Sequence, residues 1–244
     1  MAKRNTRKMT AKRKSLADAP KVFVRRVIRY FVFGVAGFFL LMTALMLAGR
    51  VVAPWTTPYM FSESRTLGGV AYDWVSLDQI APVMARSVVA AEDANFCKHW
   101  GFDLNAIRDA LEDGGSRGAS TISQQTVKNL YLWHGRNYTR KALEAFLTPG
   151  LEAIWPKERI IEVYLNIAEF DSGVFGVKAA ADHYFGVQPN QLSATQAARL
   201  AAILPDPKGR SASKPTDFVV RRARSIADGA ATIRKDGRSA CFES

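Results

Sequence analysis

The longest apolar run of the chain covers residues 30–49, which are twenty residues without a formal charge. As an α-helix this run spans about 30 Å, which matches the hydrocarbon core of a bilayer. A cleavable signal peptide is expected to have a shorter apolar region that ends at a small-residue cleavage site. Ala48 and Gly49 are small, but no Ala-x-Ala site follows directly. The pattern therefore predicts a transmembrane helix over residues 30–50.

Beyond this run, the apolar positions recur mostly with helical spacing. A short strand is indicated for residues 70–75, and Pro and Gly residues indicate a connector before the next helix. Helical periodicity is found in residues 77–94, 158–168, 195–204 and 218–234. We therefore predict a mainly α-helical protein. Its predicted segments are a basic tail (1–29), the transmembrane helix (30–50), the connector (51–77), a main domain (78–210) and a C-terminal helical extension (211–244).

The positive charge of the chain is concentrated at its N-terminus. The formal net charge is +12, and residues 1–29 contain eleven Lys or Arg residues and one Asp. Because the rest of the chain is nearly neutral, the charge does not indicate a nucleic-acid-binding domain. By the positive-inside rule, the tail is expected to stay in the cytoplasm and everything after Arg50 is expected to be exported.

Two adjacent carboxylates follow a short apolar run in the middle of the chain. Glu92 and Asp93 come directly after residues 88–91, so Glu92 is expected at the edge of a core. Desolvation and the neighbouring charge would raise its pKa toward that of a general base. If the helix continues, Glu92, Phe96 and His99 share one face. An exposed acidic helix end with a solvated histidine remains the alternative.

A glycine-rich turn and a polar helix come next. The three glycines of residues 114–118 allow positive φ or close approach to a ligand, and Ser120 is a candidate N-cap. Gln124, Gln125 and Lys128 are expected on one side of the helix, where the N-terminal N–H groups and the ammonium favour an anion. Nucleotide binding is not supported, because the Gly-Lys-Ser/Thr ending of a P-loop is missing. An ordinary amphipathic surface helix also fits this segment.

Further cations lie downstream of this helix. Arg136, Arg140 and Lys141 fall within six positions, and Glu144 follows them. One interpretation is a solvated helix face with weak local ion pairs. The other is a clamp for a diphosphate, in which Glu144 orients the cations or helps to hold a divalent ion. These residues alone leave both interpretations open.

Together these segments resemble the glycosyltransferase domain that polymerises peptidoglycan. The first motif of that family, Glu-Asp-x-x-Phe-x-x-His-x-Gly-x-Asp, is matched at Glu92, Asp93, Phe96, His99, Gly101 and Asp103. The second is matched at Gly118, Ser120, Thr121, Ile122, Gln124, Gln125, Lys128 and Asn129, with Ser123 in place of the common threonine. The third, Arg-Lys-x-x-Glu, is matched at Arg140, Lys141 and Glu144, and the fourth at residues 160–166. The resemblance covers residues 60–210 and is strongest to the monofunctional biosynthetic transglycosylases.

The resemblance implies a lysozyme-like fold with a second, membrane-facing lobe. It implies transfer of a growing glycan from its polyprenyl pyrophosphate to the 4-hydroxyl of the next lipid II, with inversion of the anomeric centre. The implied partners are lipid II, the glycan chain, membrane lipids and other proteins of cell-wall synthesis and division, but no nucleic acid. The implied location is the inner membrane, with the N-terminus cytoplasmic and the catalytic domain periplasmic.

The resemblance also implies a role for each matched residue. Glu92 is expected to be the general base and Glu144 the second catalytic carboxylate. Substrate contacts are expected from Asp93, Ser120, Thr121, Gln124, Gln125, Lys128, Asn129, Arg136, Arg140 and Lys141. Structural support is expected from Phe96, His99, Gly118, Glu162, Tyr164 and Asn166. A divalent ion, Mg or Mn, is expected with the substrate pyrophosphate and not in a site built by the protein alone, and no nucleotide is required.

Two departures and two rival functions accompany this resemblance. Asp171 stands where family members often have glycine, and Cys97 is unusual within the first motif; whether Cys97 pairs with Cys241 is left open. Transpeptidase activity is not expected, because no penicillin-binding domain with its Ser-x-x-Lys nucleophile motif is recognised. One rival function is a lytic enzyme that cleaves the same glycan; it would not need a pyrophosphate clamp, so Lys128 and Arg136 argue against it. The other is a non-catalytic lipid II-binding scaffold; it would not need intact catalytic carboxylates, so Glu92 and Glu144 argue against it.

Overall fold

The computed structural model describes residues 19–114, 118–135 and 137–243. These residues form ten α-helices, which confirms the prediction of a mainly α-helical protein. The helices are α1 (Ala19–Gly49), α2 (Pro58–Leu67), α3 (Pro82–Glu92), α4 (Leu104–Glu112), α5 (Ile122–Tyr131), α6 (Tyr138–Ile154), α7 (Lys157–Ile167), α8 (Gly176–Phe185), α9 (Ala194–Ile203) and α10 (Asp217–Lys235). The strands are β1 (Ala71–Tyr72), β2 (Glu169–Asp171) and β3 (Val174–Phe175).

Most of helix α1 forms a unit of its own, because the contacts divide the chain after Leu45. Within the described residues, α1 is the one helix long and apolar enough to cross a membrane, over Phe23–Gly49 with a mean hydropathy of 2.4. The helix begins well before residue 30, because the helical backbone continues through the basic residues that precede the apolar run. Residues 1–18 of the predicted tail lie outside the described residues.

The second unit begins with the last turn of α1. Trp155 Nε1 donates a hydrogen bond to the Met46 carbonyl at 2.6 Å. Arg159 donates to the carbonyls of Gly49 and Val52, at 2.9 and 2.7 Å. Helix termini leave their last carbonyl groups without partners in the helix. Arg159 therefore satisfies the end of the apolar helix and attaches residues 46–52 to α7.

Helix α2 differs from the prediction, which treats residues 51–77 as a connector. Thr57 caps the helix by accepting a hydrogen bond from the Met60 N–H at 3.1 Å, and Pro58 is its first residue. Proline at the first helical position loses no hydrogen bond, so a proline that indicates a connector can also start a helix. Gly68 ends α2 with a φ of 79°. The helix packs against α5 and brings Tyr59 to the site described below.

Two groups of helices build the core of the second unit. Helix α3 packs against α9 and α10, and α5 packs against α6 and α7. Helix α10, which lies in the predicted C-terminal extension, is thus part of the same packed unit. A three-stranded sheet in the order β1–β3–β2 adjoins α8, with β1 parallel and β2 antiparallel to β3.

Cys97 and Cys241 form a disulfide bond across 144 residues of sequence. The sequence left this pairing open because only the folded chain brings the two cysteines together. Disulfides persist in oxidising compartments and are rare where thiols are kept reduced. The bond therefore agrees with an exported second unit.

Asn166 joins the fourth motif to the segment that precedes α3, and its removal is expected to destabilise the fold. Its Nδ2 donates to the carbonyls of Val75 and Glu162, both at 2.8 Å, and its Oδ1 accepts from the Val75 N–H at 2.9 Å. Because the side chain is fully buried, Asn166→Ala leaves both backbone groups of Val75 unpaired. We expect the free energy of unfolding to fall by about 3 kcal/mol.

Urea unfolding of the detergent-solubilised full chain measures this effect. Asn190→Ala, at an exposed position, is the matched control and is expected to change the free energy of unfolding by less than about 0.5 kcal/mol. Equal midpoints for the two variants would contradict the bracing role of Asn166.

Candidate active site

Glu92 is the last residue of α3 and contacts α5. Its Oε2 accepts a hydrogen bond from Gln125 Nε2 at 2.9 Å, and the Tyr164 hydroxyl donates to Gln125 Oε1 at 3.2 Å. Glu92 Oε1 is buried and has no hydrogen-bond partner among the described residues. One carboxylate oxygen is therefore held in place, and the other is available to a ligand.

The environment of Glu92 suits proton transfer. Burial raises the pKa of Glu92 above its usual range, as the sequence predicted. The hydrogen bond from Gln125 and the charges of Arg222 and Lys128 lower the pKa without cancelling the effect of burial, and Asp93 raises it further. A carboxylate with a raised pKa is a stronger base near neutral pH. Arg222, on α10, was not identified from the sequence because its proximity to Glu92 arises only from packing.

The raised pKa of Glu92 predicts a pH-dependent effect of Glu92→Gln on stability. An unfolded glutamate titrates at about 4.3. Between this value and the raised folded pKa, the folded chain holds a proton that the unfolded chain has released, so wild-type stability falls as the pH rises through this window. Glutamine does not titrate. The melting temperature of the variant relative to wild type is therefore expected to rise as the pH increases from about 4 through the raised pKa of Glu92.

Differential scanning fluorimetry across this pH range checks the prediction. Glu158→Gln, at an exposed position on α7, is the control and should show no such trend. A difference for Glu92→Gln that is constant with pH would mean that Glu92 titrates normally.

Asp93 is buried and connects the first motif to the second. Its Oδ1 lies 2.7 Å from His99 Nε2, and its Oδ2 accepts from the Ile122 N–H at 2.9 Å. These bonds require the chain to leave the helix at Asp93, where φ is −161°. The prediction that Glu92, Phe96 and His99 share one helical face is therefore wrong. Asp93, predicted as a substrate contact, thus links His99 of the first motif to the start of α5.

Helix α5 is capped by Thr121, so the prediction of Ser120 as the N-cap is wrong. The Thr121 hydroxyl accepts from the Gln124 N–H at 3.2 Å, and Gln124 Oε1 accepts from the Thr121 N–H at 3.1 Å, which forms a capping box. Thr121 Oγ1 also donates to the Gly101 carbonyl at 2.7 Å. Both side chains are buried. The structure therefore gives Thr121 and Gln124 a bracing function and not an open position toward substrate.

The glycines near this helix differ in their structural roles. Gly114 has a φ of 71°, as the turn predicted, whereas Gly118 is exposed and outside the left-handed region, and Gly115 lies outside the described residues. Position 101 in the first motif requires glycine, because its φ is 86° and a Cβ there would lie 2.7 Å from Thr148 Cγ2. Glycine at 101 thus lets the loop that accepts the Thr121 hydrogen bond approach α6.

Arg140, Lys141 and Glu144 form a charged cluster on α6. Glu144 is buried and accepts hydrogen bonds from Arg140 Nη1, at 2.8 Å, and from Lys141 Nζ. Lys141 also donates to Ser120 Oγ at 3.0 Å. Both oxygens of Glu144 are therefore occupied by cations, which agrees with an orienting role for this carboxylate. Arg136, predicted to belong to the clamp, lies outside the described residues.

Lys128 lies within electrostatic reach of both Glu144 and Glu92. Burial lowers the pKa of Lys128, and the cations of α6 lower it further, while the two carboxylates act in the opposite direction. Its ammonium forms none of the hydrogen bonds or ion pairs found among the described residues. With Asn129, it lines a cavity of about 180 Å³. Lys128 is therefore available to an anionic group in this cavity.

Tyr59, His134 and Glu169 also line the cavity and were not identified as site residues from the sequence. The Tyr59 hydroxyl donates to Glu169 Oε2 at 2.6 Å, and Lys208 lies 3.5 Å from Glu169 Oε1. The rings of Tyr59 and His134 stack with centroids 3.4 Å apart, and burial lowers the pKa of His134 to about 4. Glu169 lies three positions after Asn166 of the fourth motif, and this proximity is the one sequence signal that could have identified it. The other residues lie in distant segments, so no motif points to them.

The remaining predicted support residues lie around this site. Glu162 Oε1 accepts from the Leu77 N–H at 3.1 Å. Phe96 is fully buried, and Lys157 Nζ lies 4.4 Å from the centroid of its ring. These contacts agree with the expected support of the segments on either side of α3.

The described residues contain no group of three or more His, Cys, Asp or Glu residues that could hold a metal ion. Glu144 has both oxygens engaged by cations, so it does not fit the role of a metal ligand. The divalent ion expected with the substrate pyrophosphate remains a prediction, and no step below depends on it.

A buried carboxylate base, an adjacent ammonium and a carboxylate-oriented cation cluster define a site for transfer of a group from an anionic leaving group. The Transglycosylase family model matches residues 62–231. The chain belongs to this family, and the lysozyme-like helical fold implied by the resemblance is confirmed. The matched region includes most of α10, beyond residue 210.

The chain is similar to three proteins named biosynthetic peptidoglycan transglycosylase. The protein of Jannaschia sp. is 57% identical over 235 residues, which cover 96% of this chain and 98% of the relative. The Caulobacter vibrioides protein is 42% identical over 231 residues, covering 90% and 98% of the two chains. The Chromohalobacter salexigens protein is 47% identical over 214 residues, covering 84% and 92%.

Proposed function

We propose that the chain is a peptidoglycan glycosyltransferase that polymerises lipid II into glycan strands. The observation that carries this proposal is the arrangement of Glu92 and Lys128. Glu92 has a raised pKa and one buried, unpartnered carboxylate oxygen, and Lys128, whose charge acts on Glu92, lines the cavity. Family membership and the names of the relatives support the same reaction.

In the proposed mechanism Glu92 acts as the general base. It accepts the proton of the 4-hydroxyl of the acceptor lipid II as that oxygen attacks the anomeric carbon of the donor glycan. The bond from this carbon to the polyprenyl pyrophosphate breaks on the opposite face, so the anomeric centre is inverted. Gln125 holds Glu92 Oε2 and leaves Oε1 for the acceptor. Such a base contributes about 10²–10⁴-fold to the rate.

The cations stabilise the leaving group. Negative charge on the pyrophosphate increases as its bond to the sugar breaks, and fixed positive charges stabilise this change without reorganising. Lys128 is placed in the cavity for this role, and Arg140 and Lys141 are oriented by Glu144. Arg136, Ser120 and Asn129 are proposed as further pyrophosphate contacts. Glu144 thus acts by positioning the cations, and a divalent ion, when bound, would supply additional positive charge at the pyrophosphate.

We further propose that the enzyme is anchored in the inner membrane, with its tail in the cytoplasm and its catalytic unit in the periplasm. The apolar helix, the basic tail and the disulfide support this topology. Leu104 and Leu111 on α4, with Trp100 before it, are exposed and offer an apolar face to membrane lipids. Proteins of cell-wall synthesis and division are proposed partners without a defined binding surface.

Polymerisation of labelled lipid II by the full chain in detergent tests the function. Glycan strands separated by gel electrophoresis are expected from the oxidised wild type with Mg²⁺ or Mn²⁺. Release of fragments from isolated peptidoglycan without strand synthesis would instead establish the lytic alternative. Binding of lipid II without a product would establish the scaffold.

The same assay, followed by analysis of peptide cross-links, checks the prediction that transpeptidase activity is absent. The Ser-x-x-Lys spacing does occur at residues 211–214, contrary to the sequence analysis. Ser211 Oγ there accepts a hydrogen bond from the Lys214 backbone N–H at 3.2 Å. The spacing thus belongs to a local turn, and cross-linked product is not expected.

A further inference from the structure

The C-terminal end of the described chain folds back onto the segment that carries Glu92. We call residues 236–243, which follow α10, the C-terminal clasp. Cys241 of the clasp is bonded to Cys97, and the ring of Phe242 lies 6.2 Å from that of Phe96. Arg238 Nη1 donates to the Ala94 carbonyl at 3.1 Å. The clasp therefore contacts three residues that follow the base within five positions.

A further contact of the clasp lies on the other side of the base. Glu243 accepts two hydrogen bonds from Arg86 Nη1, at 2.8 and 2.9 Å. Arg86 is on α3, six residues before Glu92. The clasp therefore holds the chain both before and after Glu92, at the point where α3 ends.

Glu92 needs such support because it is the terminal residue of its helix. Helix ends lack part of their hydrogen bonding and open more easily than helix centres. The contacts that orient the first motif cross to another element: Gln125 binds Glu92, and the Ile122 N–H binds Asp93. A displacement of the segment after Glu92 would lengthen both bonds together.

We propose that the C-terminal clasp, closed by the Cys97–Cys241 disulfide, positions Glu92 and Asp93 for glycosyl transfer, so that full activity requires the oxidised chain. This inference rests on the proposed function. The clasp residues do not touch the reacting atoms and act as positioning residues. A misplacement of about 1 Å in an active site can cost about 10²-fold in rate, so a small movement of the segment suffices.

The disulfide is the part of the clasp that resists opening. The Arg86–Glu243 pair is mostly buried, with side chains 11% and 21% exposed, but it is noncovalent and can separate without breaking a covalent bond, unlike the disulfide. Reduction by a dithiol such as dithiothreitol transfers two electrons and two protons to the disulfide, giving two thiols and an oxidised, cyclic reagent. Exchange with oxidised glutathione reverses the reaction and re-forms the bond, with release of two molecules of reduced glutathione.

The first experiment measures kcat and KM for lipid II with the full chain in oxidised and reduced form, at a temperature where both are folded. We expect reduction to lower kcat by about 10- to 100-fold with little change in KM, and re-oxidation to restore it. The double variant Cys97→Ser/Cys241→Ser should show the low kcat and no response to dithiothreitol. A folded, reduced wild type with the kcat of the oxidised form would overturn the proposal.

A second readout does not require activity. Hydrogen exchange of the backbone amides of residues 93–99 is expected to become faster on reduction, while that of α9 is unchanged. If exchange becomes faster on reduction but the oxidised chain fails to polymerise lipid II, the proposed function is refuted and the clasp is not. Exchange that is unaffected by reduction would refute the clasp itself.

If the reduced chain is unfolded at the assay temperature, the variant Arg238→Gln tests whether the clasp positions Glu92. This variant keeps the disulfide and removes the hydrogen bond to the Ala94 carbonyl. We expect kcat to fall several-fold with KM unchanged, whereas Arg224→Gln, at an exposed position of α10, should behave as wild type. An unchanged kcat for Arg238→Gln would then count against positioning by the clasp.

Discussion

Replacing Glu92 by Gln is expected to lower kcat for lipid II polymerisation by about 10²–10⁴-fold with little change in KM. Glutamine keeps the shape of the side chain, and its amide oxygen can accept the hydrogen bond that Gln125 Nε2 donates to Glu92. It cannot take the proton of the acceptor hydroxyl at neutral pH. Initial rates of strand formation at several lipid II concentrations measure the effect.

The control for this variant is Glu158→Gln, which changes an exposed glutamate on α7 and should retain the wild-type rate. Because burial raises the pKa of Glu92, Glu92→Gln is expected to be at least as stable as wild type at neutral pH. A melting temperature of Glu92→Gln no lower than that of wild type would show that the loss of activity is not caused by unfolding. A rate within tenfold of wild type would show that another group accepts the proton.

Replacing Lys128 by Met is expected to lower kcat by about 10²–10³-fold. Lys128 lines the cavity, where its ammonium would face the pyrophosphate as the bond to the sugar breaks. Methionine occupies a similar volume without the charge. Since this interaction strengthens as charge develops on the leaving group, the loss should appear mainly in kcat and less in KM.

Stability separates this effect from a folding defect. Burial lowers the pKa of Lys128, which means that the folded chain disfavours its charged form, so Lys128→Met should not reduce the melting temperature at neutral pH. Lys214→Met, at an exposed position, is the matched control with unchanged rate. A lower kcat of Lys128→Met together with a lower melting temperature would contradict the assigned role, because partial unfolding would then explain the loss of activity.

Local patterns predicted the long, regular helices well. Helices α7 (Lys157–Ile167), α9 (Ala194–Ile203) and α10 (Asp217–Lys235) begin and end close to the predicted segments. Helix α10 buries one face, and the apolar spacing along its sequence records that face directly. Helices α7 and α9 also bury consecutive residues, at 163–167 and 200–203. Their existence could therefore be predicted without knowledge of their neighbours.

Local patterns failed where a distant contact overrides them. Pro58 indicates a connector in the sequence but starts α2, which packs against α5. Helix α3 was expected to continue past Glu92, but it ends there because Asp93 binds the Ile122 N–H, 29 residues later. No window of neighbouring residues contains this information.

The sequence by itself determined the apolar helix, the helical class of the fold and the identity and order of the motif residues, including both glutamates. These properties depend on residue type and on the spacing of near neighbours. Only the tertiary structure decided which motif residues line the cavity and which brace it: Lys128 lines it, whereas Asp93 is buried as a brace. It also paired Cys97 with Cys241, because burial, orientation and pairing arise from contacts between segments that are far apart in the chain.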